Sequence, residues 1–593
     1  MPLPEYFGTL GTKRAAHLLR RATFGPTKAQ IDAFAALSPG QAIQQLYRQV
    51  LPDTPPPVDP DTNEAWVITG NTDPEKMEFE YLAFFKRWCI GQMMSSGVSP
   101  AQALPYSARE KIVFFIHTHL TAIAEKIGSS RALYFQNQLY RLYALDALAS
   151  PIVPAAKLNF KELTKKVSVD NAMLRLLDGN LNVNGSPNEN YGRELLELYS
   201  VGRGLENALP PPTGEGDYIF YKEQDVQEAA RVLSGFDFDD TFLTIDPDTL
   251  LPRGIVRGSV TNASGHDNDP KEFSDSFIDG GTGLPYVIQP DPLLLNGGQP
   301  TEESALDEIS QLVDMIYEQS ETANHICRKL YRFFVYHEIT PAINTNIISV
   351  MADTFRTNNF KLQPVIENLL RSQHFYEAAA GITDDTFGGI IKSPLDLVTG
   401  SLRFFAHSIP DMTADPEGFY DQTGEIIGLL ELHGMSFYQP FDVAGYDAYH
   451  QYPIYHRSWI SVNYLTNRYE FIQRIINPMA PGTFKVDVYQ FVRNTIPVGI
   501  ASNARTLVIE LTKYLLPLAD NLTFDTAQDE TLQSTLTAER LNYFLVTFLS
   551  DIDPDPEAEW TNRYTNQVGI ATMEGQLRNL FNAMLQSPEY QLQ

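Results

Sequence analysis

Apolar residues recur at three- and four-residue spacing along most of this 593-residue chain, the signature of amphipathic helices. The period runs through TKRAAHLLRRATF, PEKMEFEYLAFFKRWCIGQMM, SAREKIVFFIHTHLTAIAEK and ALYFQNQLYRLYALDALAS. It resumes in SALDEISQLVDMIYEQ, ETANHICRKLYRFFVY, LQPVIENLLRSQHF, RTLVIELTKYLLPLA and EGQLRNLFNAMLQSPEY. Strict alternation is sparse. The pattern predicts a mainly α protein, a large multi-helix globular array with long irregular loops and a few short strands.

Two breaks in the period divide the chain. ALPPPTGEGDYIFY, with its prolines and glycines, reads as an exposed connection. From Phe236 to about Pro300 the sequence is rich in Asp, Gly, Asn and Pro, with short alternating runs suited to small strands. The predicted organisation is an N-terminal helical region (1–235), an irregular insertion (236–300) and a C-terminal helical region (301–593) with an aromatic loop at 433–459. LLRSQHFY and MLQSPEYQ share a Leu, a Ser and an aromatic in matching positions. They read either as a distant duplication or as two similar helix ends.

One segment carries an unusually complete helix start. In SPNENYGRELLELYSVG, Ser186 is placed to cap, Pro187 suits the first helical position, and Glu189 can reach back to the cap. Glu189, Arg193, Glu194 and Glu197 follow at three- and four-residue spacing, and Gly202 ends the helix. Glu189–Arg193 and Arg193–Glu197 are expected as ion pairs. The same cluster also offers a catalytic set: Glu194 or Glu197 as general base and Arg193 as an anion clamp.

Composition narrows the classes. With 43% apolar and 11% aromatic residues the chain can bury a substantial core. Lys and Arg number 44 against 73 Asp and Glu, a net charge of −29, and no basic run could track a phosphate backbone, so nucleic acid is excluded as a partner. Cys89 and Cys327 each sit in an apolar helical pattern and are expected as buried thiols. No apolar run approaches the roughly 20 residues that span a bilayer. MPLPEYFGTLGTKRAAHLLRRATFG has no apolar signal core, which predicts a cytoplasmic location; a signal removed before this numbering would place the chain in the periplasm or outside the cell.

Three constellations bear on chemistry. His117 and His119 lie two apart in an apolar run, pointing about 200° from each other on an ideal helix, so they share an ion only where the helix ends or bends. His266 and Asp267, in GHDND, offer imidazole and carboxylate ligands for a divalent metal ion, or form a plain Asx turn. The stretch from His433 to Trp459 mixes rings with polar tips, and Tyr446, Tyr449, Tyr452 and Trp459 are candidates for a partner-binding surface or for packing between helices. No G-x-S-x-G elbow, Walker loop or dinucleotide fingerprint occurs, which removes those hydrolases, kinases and nucleotide-dependent oxidoreductases.

Several phrases together resemble the bacterial domain-of-unknown-function 1800 family: AAHLLRRATFGPT, PNENYGRELLELYSVG with DVQEAARVLSGF, GHDNDPKEF, IIKSPLDLVTGSLRFF, QPFDVAG and the final SPEYQLQ. The chain departs from the family pattern at Phe236 and Tyr446, where a Trp is often found, and in showing no export signal. The resemblance implies an all-helical protein, often encoded beside sulfatase-like proteins of the domain-of-unknown-function 1501 family, and a joint process at or beyond the cell envelope. It carries over no catalytic residue. Two readings follow: an accessory or binding protein for a sulfatase-like partner, or a metal-dependent hydrolase using His117, His119, His266 and Asp267 as ligands. The oligomeric state is not legible.

Overall fold

Two helices, α1 (Gly11–Ala22) and α2 (Pro100–His119), set the centre of the fold. In the computed structural model every α2 residue from Leu104 to His119 is buried, the state of a helix surrounded on all sides. Its charges are paired inside: Arg141 on α3 (Ser130–Ala144) grips Glu110 through two hydrogen bonds at 3.0 and 2.6 Å, and Lys111 bonds Asp396. The structure describes residues 2–206, 208–377, 389–517, 521–528, 536–550 and 554–593. Helices dominate, as the periodicity predicts, and among the described residues the only sheets are two antiparallel pairs.

The 186–202 segment differs from its expected form. Helix α4 (Glu189–Glu194) starts at Asn188, whose side chain accepts from the Asn190 N–H at 3.0 Å, not at Ser186. Ser186 instead pairs with Val183 in a tight bridge. Asn182 decides between the two caps: its carbonyl oxygen takes the Asn188 N–H at 3.0 Å while its amide donates to Ala230 O at 2.7 Å on α5 (Glu223–Val232). After Glu194 the helix widens into a π-turn, Leu195–Tyr199. That inserted residue shifts the register, so Glu197 misses Arg193 and pairs with Arg203 at 2.8 Å, whereas Glu189 meets Arg193 at 3.2 Å as expected.

The irregular insertion holds both sheets. Strand β1 (Phe236–Asp237) pairs with β2 (Ile255–Val256), and β3 (Lys271–Glu272) with β4 (Val287–Ile288). The insertion is anchored by charge. Lys271 bonds Glu308 on α6 (Glu302–Glu318), and His266 Nε2 lies 3.3 Å from the same carboxylate, all three side chains fully buried. Asp267 meanwhile pairs with Arg231 of α5 at 2.8 Å.

Beyond the insertion come α7 (Ser320–Phe334), α8 (Leu362–Arg371), α9 (Pro394–Phe404), α10 (Val462–Ile476), α11 (Ala538–Phe548) and α12 (Ile570–Leu585). The matching phrases LLRSQHFY and MLQSPEYQ have matching geometry. Ser372 and Ser587 follow α8 and α12 in extended backbone (φ −70°, ψ 150° and φ −67°, ψ 150°), and each side chain caps the next short turn, at Phe375 N and Tyr590 N. Each end also pairs with the extended segment that leads into another helix: Glu5 bridges Ser372 ahead of α1, and Ile391 bridges Leu592 ahead of α9. The two helix ends thus share a helix, a serine cap and an isolated bridge.

One hydrophobic core runs from Leu3 to Tyr590 and draws residues from all three sequence regions. Cys89 and Cys327 are buried free thiols. No helix among the described residues is long and apolar enough to cross a membrane.

Candidate functional site

Leu198 and Tyr199 end the π-turn, so their carbonyls have no partner within the helix, and donors from two other helices take them up. Leu198 O accepts from His325 Nε2 at 3.1 Å and from Lys329 Nζ at 3.0 Å, both on α7. Tyr199 O accepts from His119 Nε2 at 2.9 Å, at the last residue of α2. Burial holds both imidazoles well below their usual range, so they donate as neutral rings. Two glycines allow this packing. A Cβ on Gly192 would stand 2.8 Å from Val226 O of α5, and Gly202, at φ +71°, would place one 2.1 Å from His325 Nδ1.

Glu194 is half-buried at the end of α4, directly ahead of the π-turn, and its surroundings form the candidate site. Among the described residues no hydrogen bond or ion pair engages its carboxylate. Burial pushes it up to about 7, with the Glu197 carboxylate adding to the rise, Arg193 opposing it and Asp442 contributing further. Lys329, half-buried on the same turn's other side, is lowered by burial to about 7, with Arg332 adding to the fall. Burial thus shifts a carboxyl and an amine from opposite directions, each toward its uncharged form. Arg193 is not available as an anion clamp: it gives two bonds to Glu223, at 3.1 and 2.6 Å, and further bonds to Tyr218 and Glu189.

The 439–450 turn approaches the same region through Asp442, whose charge acts on both Glu194 and His450. Asp442 is exposed and receives the Ala444 N–H at 2.9 Å. Gly445, at φ +101°, lies so near α2 that a Cβ would reach 2.7 Å from Thr121 Oγ1. His450 Nε2 lies 3.3 Å from Gly445 O; burial and then the Lys329 charge lower its pKa, while Asp442 raises it.

The residues predicted as metal ligands are not brought together. His117 stacks on Tyr438 with ring centroids 4.0 Å apart, while His119 turns to the π-turn. His266 and Asp267 lie in the insertion with Glu308 and Arg231. Among the described residues no group of three or more His, Cys, Asp or Glu side chains is arranged to hold a metal ion. The helix does end at His119, as a shared ion would require, but the two rings leave it in different directions.

The aromatic candidates divide. Tyr446 and Trp459 are each 5% exposed, and the Tyr446 hydroxyl accepts from Tyr438 N at 2.8 Å. Tyr449 packs on Phe333 and Phe114, with centroids 5.6 and 6.3 Å away. Tyr452 alone of the four is open, at 48%. Packing between helices accounts for three of them.

The sequence offered Glu194 and Glu197 as candidate general bases but gave no sign of His325, Lys329, Asp442 or His450 near them. His325 and Lys329 stand four apart on one face of ETANHICRKLYRFF, a pairing visible in the text but overshadowed by the apolar stripe. Asp442 lies inside QPFDVAG, so two of the phrases that carried the resemblance meet here. The others also pair off in space: Arg403 of the IIKSPLDLVTGSLRFF segment donates to Gly25 O at 2.7 Å, and Lys392 to Tyr590 O at 2.6 Å. No curated protein and no solved structure matches the chain. The model of the family described as "Protein of unknown function (DUF1800)" matches residues 17–592, and the chain belongs to that family.

Proposed function

We propose that the Glu194 cleft is an acid–base active site and that the chain is a hydrolase working by proton transfer. Glu194 is the general acid or base, and Lys329 is the second proton-exchanging group. The observation that carries this reading is the unpaired Glu194 carboxyl directly ahead of a π-turn whose last carbonyls are fixed by His119, His325 and Lys329. A positioned acid or base of this kind contributes about 10²–10⁴-fold to rate. The test is a panel of 4-nitrophenyl esters, glycosides, phosphates and sulfates. Turnover that falls at least about 100-fold in Glu194→Gln, with the melting temperature retained, supports the assignment. No turnover across the panel, or a hit of equal rate in the variant, removes it.

A second reading has its own observation. Phe441 is 94% exposed beside Asp442, and Tyr452 and Ile454 are exposed at 48% and 46%. An apolar rim next to the cleft suits an accessory protein that presents the site to a sulfatase-like partner in an envelope process. Phe441→Ser would then abolish co-purification with that partner; undiminished recovery would count against it.

A further inference from the structure

The C-terminal helices form a second concave site that shares no residue with the Glu194 cleft. Helix α12 packs against α10 and α11, leaving an open groove of about 250 Å³. Its floor is a stripe of amides: Asn579, Asn582 and Gln586 stand at three- and four-residue spacing, so one face of α12 presents all three. Tyr469 of α10 and Tyr543 of α11 bring rings to the groove, and Thr547, one turn after Tyr543, adds a hydroxyl.

Part of this polar lining is used within the fold, where Asn579 donates to Ser550 Oγ at 3.3 Å. Gln586 donates to Tyr469 O at 3.2 Å and to Asn582 Oδ1 at 2.7 Å, which orients the Asn582 amide so that its N–H groups remain for a ligand. Among the described residues no hydrogen bond engages the hydroxyls of Tyr469, Tyr543 or Thr547. The one cation in the lining is already spent. Arg540 makes a paired contact to Glu589 at 3.1 and 3.0 Å, and its guanidinium lies 5.5 Å from the Tyr543 ring centroid. The groove therefore offers no net charge, and Tyr543, 52% exposed, is held from behind with its other face open.

We propose that this groove binds a neutral, unbranched hexose oligosaccharide. Sugar rings present apolar C–H faces that lie on tyrosine rings and a periphery of hydroxyls that both donate and accept, which is what amides and phenols satisfy together. An acidic or phosphorylated ligand would find no unpaired cation.

The test is calorimetric titration of the full chain with cellohexaose and with maltohexaose, and with a proline decapeptide as the competing chemistry for a tyrosine-lined groove. The expected result is saturable 1:1 binding of one hexose oligomer at about 0.1–1 mM, weakened about tenfold or more by Tyr543→Ala and by Asn582→Ala. Both side chains are solvent-accessible, so the melting temperatures of the variants should match the parent, and Glu194→Gln should bind as the parent does. No saturation with either oligosaccharide up to about 10 mM, equal binding in both groove variants, or binding of the decapeptide alone would overturn the proposal.

Discussion

The Lys329 side-chain nitrogen lies 3.0 Å from the carbonyl oxygen of Leu198 and donates to it, tying helix α7 to a π-turn that precedes it in the chain by more than a hundred residues. His325, one turn earlier on α7, takes the same oxygen at 3.1 Å. Two donors on one carbonyl anchor the π-turn that follows Glu194, and each following expectation tests part of that arrangement or the frame around it.

Gly202→Ala probes the approach of His325 directly. The new Cβ would stand 2.1 Å from His325 Nδ1, in backbone at φ +71° that L side chains avoid. The imidazole must move and its bond to Leu198 O must break. A loss of about 2–4 kcal/mol in urea unfolding is expected, together with the loss of whatever activity the cleft supports. An unchanged unfolding midpoint would mean that His325 is free to swing aside.

Glu194→Gln has a pH signature as well as a kinetic one. The carboxyl is held near 7 in the fold against about 4.3 in an unfolded chain. Below about pH 4 both states carry the proton and Glu194 costs nothing; as pH rises toward 7 the unfolded state ionises first and stability falls. The variant, which cannot ionise, should equal the parent at pH 4 and exceed it at pH 8 by on the order of 2 kcal/mol. Parallel melting curves across that range would show that Glu194 is ionised in the fold at an ordinary pH.

The anchor of the insertion should behave as a buried pair. Glu308→Ala leaves the Lys271 ammonium buried without its carboxylate partner and is expected to cost about 3–5 kcal/mol. Glu308→Leu combined with Lys271→Met removes both charges and should recover most of that loss. If the double variant is no better than the single one in thermal unfolding, packing and not charge holds the insertion to α6.

The helices were legible because their apolar period needs no tertiary information, and the buried cysteines and small strands followed from the same kind of local reading. What escaped is set by contacts distant in sequence. Ser186 and Asn188 are both competent caps, and the choice falls to Asn188 only because Asn182 is held by Ala230 on a later helix. LELY in the π-turn has no residue forbidden to an α-helix, so the extra residue that frees Glu197 from Arg193 leaves no mark in the text. His117 and His119 were conspicuous as a pair, yet the fold uses them singly, one against Tyr438 and one on Tyr199. Asp442 and His450 joined the cleft by tertiary approach alone.

Helix α7 ends at Phe334, and the carbonyls of Phe334 and Val335 accept from Arg21 of α1 at 3.2 and 2.9 Å. The helix is therefore held at two points, its Lys329 turn on the segment that follows Glu194 and its last turn on the central helix pair. With about one and a half turns of straight helix between them, the π-turn and α1 are kept at a fixed separation.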